Sequence, residues 1–502
     1  MRILDELKKI ITAGAATSMS FNHFLEIEIA KWKASHPRQV MIDGERYYNG
    51  DHDILRRRRM AIGKDGAMEE VDNLPNNRLV DNQFAKMVNQ KVNYLLAKPI
   101  TYESGNDTYD TLLKNIFNAA FQRKLKNGGV DAFCGGGSWL YVYIGDDGKL
   151  KFQRFAPYEI LPFWRDSEHE ELECAARVYQ VEAYEGNSPV IIEKVELFKV
   201  DGVERYILSG GSLVPDVDNP SENYIKAGDN EYNWGRVPLI YFKANAHELP
   251  LIKKLKSLQD ALNVMLSDLP NAMEENAGGQ GVLVIKNYDG TNLGEFRRNL
   301  STYRAVKVKT VDGADGGVEN LEVTVNAANY ETVLKLLKKA IIENAMGYDA
   351  KDDRMGGNAN TMNIRSMYSD IDLDANDMEA EYQAAFLPLL ELVNIYLKTT
   401  GQGDYFNTPV TITFNRDIIV NELEIISSLA QLGVKVSNET LLGQLPFVNN
   451  VQKEVDRLQG EQQANIEMYG GAFGGGNNSD GVSYTLKGGN DIAAKRILGK
   501  AL

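Results

Sequence analysis

The residues best spaced for chemistry lie in DIDLDANDMEAE. Asp370, Asp372, Asp374 and Glu381 fall there at positions 1, 3, 5 and 12 of a calcium-binding loop. Hard cations take oxygen ligands, and these carboxylates would supply them. Position 6 of such a loop turns sharply and needs glycine, but here it is Ala375. An apolar series, Ile364, Met367, Tyr368, Ile371, Ala375, Met378, Tyr382 and Phe386, also runs through the segment at helical spacing. The carboxylates therefore read as the exposed acidic face of a helix, with cation binding as the alternative.

Other chemistry finds less support. There is no G-x-x-x-x-G-K-[ST] phosphate loop. FCGGGSW, residues 133–139, lacks G-x-S-x-G spacing and reads as a bend beside a strand. His23, His36, His52, His169 and His247 lie far apart with no H-x-x-x-H pair, which argues against zinc and against a Cys–His nucleophile. Cys134 and Cys174 cannot build a disulfide framework and are expected as reduced, structural thiols of a cytosolic compartment. No catalytic residue, metal ligand or cofactor is assigned. Arg56 to Arg59 form the one strong basic block, read as a solvated face or as intersubunit ion pairs, with phosphate contact as the alternative.

Composition bounds the function class. Of 502 residues 43% are hydrophobic and 25% charged, as in an ordinary soluble globular protein. No run approaches the roughly 18 apolar residues of a membrane span, and the first residues, MRILDELKKI, do not read as a signal peptide. A net charge of −15 argues against a tight DNA binder, because such binding rests on neutralising phosphates. It leaves open DNA that is surrounded without being gripped.

These groups need elements to hold them. FNHFLEIEIAKWKASH predicts an amphipathic helix ended by Pro37, and RLVDNQFAKMVNQKVNYLLAK a long helix with Leu79, Phe84, Met87, Val88, Val92 and Leu95 near one face. Residues 138–245 hold short β-type runs between turn residues. From Pro250 a helical run follows with Leu255, Leu258, Leu262, Met265 and Leu269 in register, and Pro270 is expected to kink or restart it. Next come GVLVIK, LGEFRRNLSTY, RAVKVK and NLEVTV, a strand–helix–strand–strand unit, then a helix with Tyr330, Val333, Leu334, Leu337 and Ile341 as its stripe. A very long helix over 362–398, kinked at Pro388, precedes the strand PVTITF, which is expected to complete the earlier β unit. Residues 421–468 read as a helical cluster and the Gly-rich tail from Gly470 as flexible by composition. Between the last two long helices lies GYDAKDDRMGGNANTM, residues 347–362, too long for a helix–helix connection of about 2–8 residues.

Four stretches in order carry a family resemblance: RYYNGDHDILRR, NNRLVDNQFAKMVNQKVNYLLAKPITY, GRVPLIYFKANAHE and SLQDALNVMLSDLPNAMEENA. From about residue 25 to 465 the chain resembles the bacteriophage portal proteins, in the branch found in long-tailed siphophages of Gram-positive hosts. The resemblance implies an α+β subunit that assembles into a ring, usually a dodecamer, at one capsid vertex. It implies an N-terminal segment 1–24, a mixed helical and β wing over 25–247 with strand 408–415 and long helix 362–398, and stem helices 248–277 and 327–346. A small α/β clip would span 278–326, a tunnel loop 347–361, a helical crown 421–468 and a flexible tail 469–502. Implied partners are further copies of the chain, double-stranded DNA in the channel, the terminase large subunit, head–tail connector proteins, and the major capsid and scaffold proteins, with no membrane. The implied place is the virion, after assembly in the host cytoplasm.

On that reading the tunnel loop meets the passing duplex. Lys351 and Arg354 touch phosphates transiently, while Asp349, Asp352 and Asp353 prevent net attraction. Asn358 and Asn360 hydrogen-bond in either sense, and Gly356 and Gly357 supply a hinge. Glu295, Arg297 and Arg298 on the clip helix are the expected contacts for terminase and connectors. Without the resemblance, the same elements fit a scaffold or assembly protein of small oligomeric state whose helix pair is an ordinary hairpin. They would also fit a metal-dependent nuclease if the Asp370 cluster bound a cation.

Overall fold

The first helices start where a Ser or Asn side chain accepts a hydrogen bond from an orphan amide of the first turn. Ser20 caps α1 (Phe21–Lys33) and Ser35 caps α2 (His36–Tyr48). Asn82, Asn106 and Asn118 cap α3 (Gln83–Leu96), α4 (Asp107–Ile116) and α5 (Ala119–Gly135). The computed structural model describes residues 20–62, 66–72, 74–227, 230–277, 282–286, 317–321, 327–349, 361–416 and 451–470, with residues 437, 439 and 442. They fall into two units, Met1–Ile419 and Val420–Leu502.

Pro37 does not simply end a helix. It sits in the first turn of α2, where its missing N–H costs nothing. Nor does the expected helix at 78–98 begin at Arg78: it begins after Asn82, and Leu79 stays exposed on an extended lead-in. α4 and α5 have no counterpart among the elements expected from the sequence, although their buried residues Tyr109 and Leu113, and Phe121 and Leu125, are spaced one turn apart.

The strands before α6 are β1 (Met60–Ile62), β2 (Met68–Glu70), β3 (Thr101–Glu103), β4 (Gly137–Ile144), β5 (Leu150–Phe155), β6 (Ile160–Trp164), β7 (Leu172–Glu185), β8 (Ser188–Lys199), β9 (Gly202–Ser209), β10 (Ser212–Pro215), β11 (Ile225–Ala227), β12 (Asn230–Tyr232) and β13 (Leu239–Lys243). One antiparallel sheet runs β10-β9-β8-β7-β6 and a second β13-β4-β5. Because strand side chains alternate, Cys174, Ala176 and Val178 of β7 meet Leu25 and Ile29 of α1. Ala175, on the other face, joins Trp139, Phe155 and Leu239 of the smaller sheet. Both cysteines are free and buried, and burial pushes the Cys174 thiol up to about 12. The FCGGGSW bend passes from α5 to β4 through Gly136, whose φ of +92° and a Cβ only 2.2 Å from the Glu248 carbonyl oxygen both demand glycine.

The rest of the first unit is α6 (Ile252–Ala277), β14 (Val282–Lys286), β15 (Gly317–Leu321), α7 (Ala327–Asn344), α8 (Thr361–Thr399) and β16 (Thr411–Thr413); α9 (Val451–Gly470) belongs to the second. α6 and α8 continue through Pro270 and Pro388 as single helices. β16 pairs with β3, Ile412 opposite Tyr102, and does not complete the 138–245 sheets. β14 pairs with residues 317–321, so the strand expected in NLEVTV starts three residues earlier than read and its later part lies outside the described residues. The largest core joins α3 to α8, with Tyr109, Phe117, Phe121, Tyr382 and Phe386 at its centre.

Candidate functional site

The buried face of α6 is polar where the sequence pointed to leucines. Leu255 and Leu262 are buried, but Met265 and Leu269 are only half-buried. The fully buried series below Leu255 is Gln259, Asn263, Ser267 and Asn271, one residue every four. Three take a backbone amide from the extended lead-in to α3 and the fourth takes one from the first turn of α3 itself. Asn77 N–H donates to Asn271 Oδ1 at 2.7 Å, Leu79 N–H to Ser267 Oγ at 2.9 Å, Asp81 N–H to Asn263 Oδ1 at 3.0 Å and Phe84 N–H to Gln259 Oε1 at 3.0 Å. The spacing is geometric. Four helical residues rise about 6 Å and two extended residues about 6.6 Å, so the alternate amides of residues 77, 79 and 81 match every fourth side chain of α6. Phe84 N–H is moreover one of the orphan donors of α3, so α6 caps α3 through Gln259.

Asp81 locks this polar seam to a third helix. Its backbone carbonyl accepts from Gln259 Nε2 at 2.8 Å, and its carboxylate meets Lys338 Nζ of α7 at 2.7 Å. His52 closes the seam from the other side. It is fully buried, its Nδ1 accepts from Asn263 Nδ2 at 2.8 Å, and its Nε2 donates to the Tyr47 carbonyl at 3.0 Å. Burial holds its pKa below the ordinary value, which keeps it neutral.

A second constellation holds the root of the 347–361 segment. α7 ends in a Schellman turn: Met346 N–H donates to the Glu343 carbonyl at 3.0 Å and Gly347 N–H to the Ile342 carbonyl at 2.9 Å, with Met346 at φ +52°. The Gln90 side-chain amide then grips Tyr348 twice, accepting from its N–H at 3.0 Å and donating to its carbonyl at 2.8 Å. A Cβ at Gly347 would lie 2.8 Å from both Gln90 Oε1 and Met87 Sδ, so a larger residue here would displace the ends of these two side chains. The Tyr348 ring lies 4.5 Å from that of Tyr368 on α8.

The acidic segment of α8 belongs to the same place. Asp370, Asp372, Asp374 and Glu381 lie on one uninterrupted helix, so no calcium-type loop forms. Asp372 and Asp374 are not simply an exposed face, which corrects the sequence reading. Asp372 accepts from Tyr94 Oη at 2.7 Å and from Arg416 at 2.6 Å, and Asp374 lies 2.7 Å from Lys91 Nζ. The Lys91 side chain is only 1% exposed; burial draws its pKa down while Asp374 opposes the shift. Among the described residues no group of three or more His, Cys, Asp or Glu is placed to hold a metal ion. No described helix is long and apolar enough to cross a membrane.

The arginine block is solvated at Arg56 and Arg58, whose side chains are 58% and 70% exposed, and half-buried at Arg57 and Arg59. Arg56 meets Asp51 at 2.7 Å and Arg58 meets Glu70 at 2.9 Å, while Arg57 lies 2.7 Å and Arg59 3.9 Å from Asp268 of α6. All four pairs are within the chain. In the α7 stripe Ile341 is buried and Leu334 and Leu337 are partly so, but Val333 is exposed. Lys351, Arg354, Gly356, Gly357, Asn358 and Asn360, and Glu295, Arg297 and Arg298, lie outside the described residues. Sequence reasoning missed Gln90, Lys91 and the α6 seam. Its one available signal was the four-residue spacing of Gln259, Asn263, Ser267 and Asn271.

Comparison with known proteins follows the same elements. The family described as phage portal protein, SPP1 Gp6-like, matches residues 26–468. The portal protein of Bacillus phage SPP1 is 28% identical over 478 residues, covering 93% of this chain and 92% of its own. The portal protein of Clostridium phage phiCD119 is 23% identical over 443 residues, covering 85% of this chain and 93% of its own. With the match spanning nearly every element from α1 to α9, the chain belongs to the phage portal protein family, whose members are structural, non-enzymatic components of the phage head.

Proposed function

We propose that the chain forms a ring, a dodecamer by analogy, at one capsid vertex, and that DNA enters and leaves through its central channel. The terminase large subunit docks on the clip over 278–326 during packaging, with Glu295, Arg297 and Arg298 as contacts, and connector proteins take the same end afterwards. Major capsid and scaffold proteins surround the wing. The observation that carries this reading is the packed pair α6–α7. It is fixed to α3 by the polar seam, yet it leaves Met273, Val333 and Leu336 exposed, Leu336 at 61%. A ring built from heterologous contacts needs apolar surface for a neighbour as well as for the subunit's own core.

The 347–361 segment is the tunnel loop in this reading. Its root is set by Gln90 and Gly347, and Lys351, Arg354, Gly356, Gly357, Asn358 and Asn360 meet the passing DNA. The acidic balance of the chain suits passage, because a wall that does not neutralise phosphates does not trap the duplex. Negative-stain imaging of the purified full-length protein tests the ring, and replacing residues 350–360 with a Gly-Ser linker tests the loop. Annular particles, and linker rings that assemble but package poorly, are expected. Solitary globules at every concentration would return the chain to the small-oligomer scaffold reading, and normal packaging by the linker variant would remove the loop's role.

A further inference from the structure

One face of α3 holds both ends of a single stretch of chain. Met87, Gln90, Lys91 and Tyr94 follow the i, i+3, i+4, i+7 spacing of one helical stripe. Met87 and Gln90 hold Gly347 and Tyr348 at the end of α7. Lys91 spans the two sides, 2.7 Å from Asp374 of α8 and 3.5 Å from the Met346 carbonyl. Tyr94 holds α8 through Asp372 at 2.7 Å and through its ring, 5.8 Å from Tyr368. The start of α3 is tied in turn to α6 by Phe84 and Asp81. Hydrogen bonds and one buried ion pair thus run without a break from the root of the 347–361 segment, along α3, to the polar seam.

We infer that Gln90 and Lys91 are positioning residues for that segment, and that α3 carries a load on either of its ends to α6. This rests on the reading that the segment faces the DNA channel. Gln90 is the sharper probe because its amide does two separable things. Gln90→Glu keeps the acceptor for Tyr348 N–H and loses the donor to the Tyr348 carbonyl; Gln90→Leu loses both.

The test is hydrogen exchange on assembled, full-length rings, paired with the amount of DNA packaged per head. In Gln90→Leu the Tyr348 amide should exchange about tenfold faster. The Leu79 and Asp81 amides, bonded to Ser267 and Asn263, should also speed up if α3 transmits. Gln90→Glu should fall between Gln90→Leu and the parent, and packaging should decline in the same order. A graded series of this kind separates positioning from a mere loss of fold. Gly347→Ala, which presses on Gln90 and Met87 from the opposite side, should reproduce the Gln90→Leu pattern and serves if Gln90→Leu does not assemble. Faster exchange confined to Tyr348 would overturn the transmission. Parental packaging despite a tenfold faster Tyr348 amide would overturn the positioning role. The 350–360 linker variant judges the channel reading separately: if it fails to package while Gln90→Leu packages normally, only the present inference falls.

Discussion

Two regions of the first unit hold helices together by opposite means. At the centre of the α4–α5–α8 core, Phe117, Phe121, Tyr382 and Phe386 fill space against one another, with Phe117 and Phe121 ring centres 4.6 Å apart. Such packing is non-directional: it rewards volume and tolerates any apolar shape that fits. Between α6 and residues 77–84, the lead-in and first turn of α3, Gln259, Asn263, Ser267 and Asn271 hold one backbone amide each. That seam rewards partner identity and register, and an apolar side chain of equal size cannot replace any rung. The difference teaches where a portal subunit places specificity. Its aromatic core holds α4, α5 and α8 together, while its polar contacts fix how the α6–α7 pair and residues 347–348 are aligned to α3.

Truncation separates the two first. Phe386→Ala removes a fully buried ring from the core, and a loss of about 3–5 kcal/mol in unfolding stability is expected, read as a lowered thermal midpoint. Phe386→Leu should recover most of it, because volume is what counts there. Asn263→Leu makes the opposite case. The side chain keeps its branch point and number of heavy atoms, yet the Asp81 amide, one N–H of the Gln259 amide and His52 Nδ1 all lose their partner. A loss of about 2–3 kcal/mol is expected, since buried polar groups left unpaired cost about 1–3 kcal/mol each and local water recovers part of it. If Asn263→Leu proved as mild as Phe386→Leu, the distinction between core and seam would not stand.

What the sequence made legible follows the same division. Apolar stripes announced α1, most of α3, α7 and α8, because leucines, valines and aromatics at helical spacing have no better place than a core. The seam stayed hidden because glutamine, asparagine and serine default to solvent, so the leucines of α6 drew the attention. Only the match between every fourth residue of α6 and every second residue of NNRLVDN betrays it. Gln90 and Lys91 look like ordinary surface residues in VNQKVN, and nothing local says that Tyr348 meets the first and Asp374 of α8 the second. β16 went to the wrong partner for a related reason: three residues carry no register information, and its pairing with β3 is settled by the core around Tyr102. Asp372 and Asp374 were read by spacing as an acidic face, but their cations come from Arg416 and Lys91, distant in the chain.

A milder perturbation acts on the seam without a mutation. Neutral His52 accepts from Asn263 Nδ2 through Nδ1. Protonation places the ring's second N–H on that atom, facing the Asn263 amide as donor against donor. Rotating the Asn263 amide to answer it would turn its NH2 toward the Asp81 and Gln259 donors and break two further bonds. Burial lowers the folded pKa of His52, aided by Arg46 and opposed by the Tyr47 carbonyl, by Asn82 and by Asp260. The unfolded chain therefore binds the proton first as pH falls. The stabilisation is fully present above the unfolded value of about 6.5 and is lost progressively as pH drops below it toward the folded value. Thermal midpoints taken from pH 8 to pH 5.5 should fall more steeply for the parent than for His52→Gln, which cannot titrate. Equal slopes would mean that His52 charges without disturbing Asn263, and that the seam is held by its shape more than by the identity of its donors and acceptors.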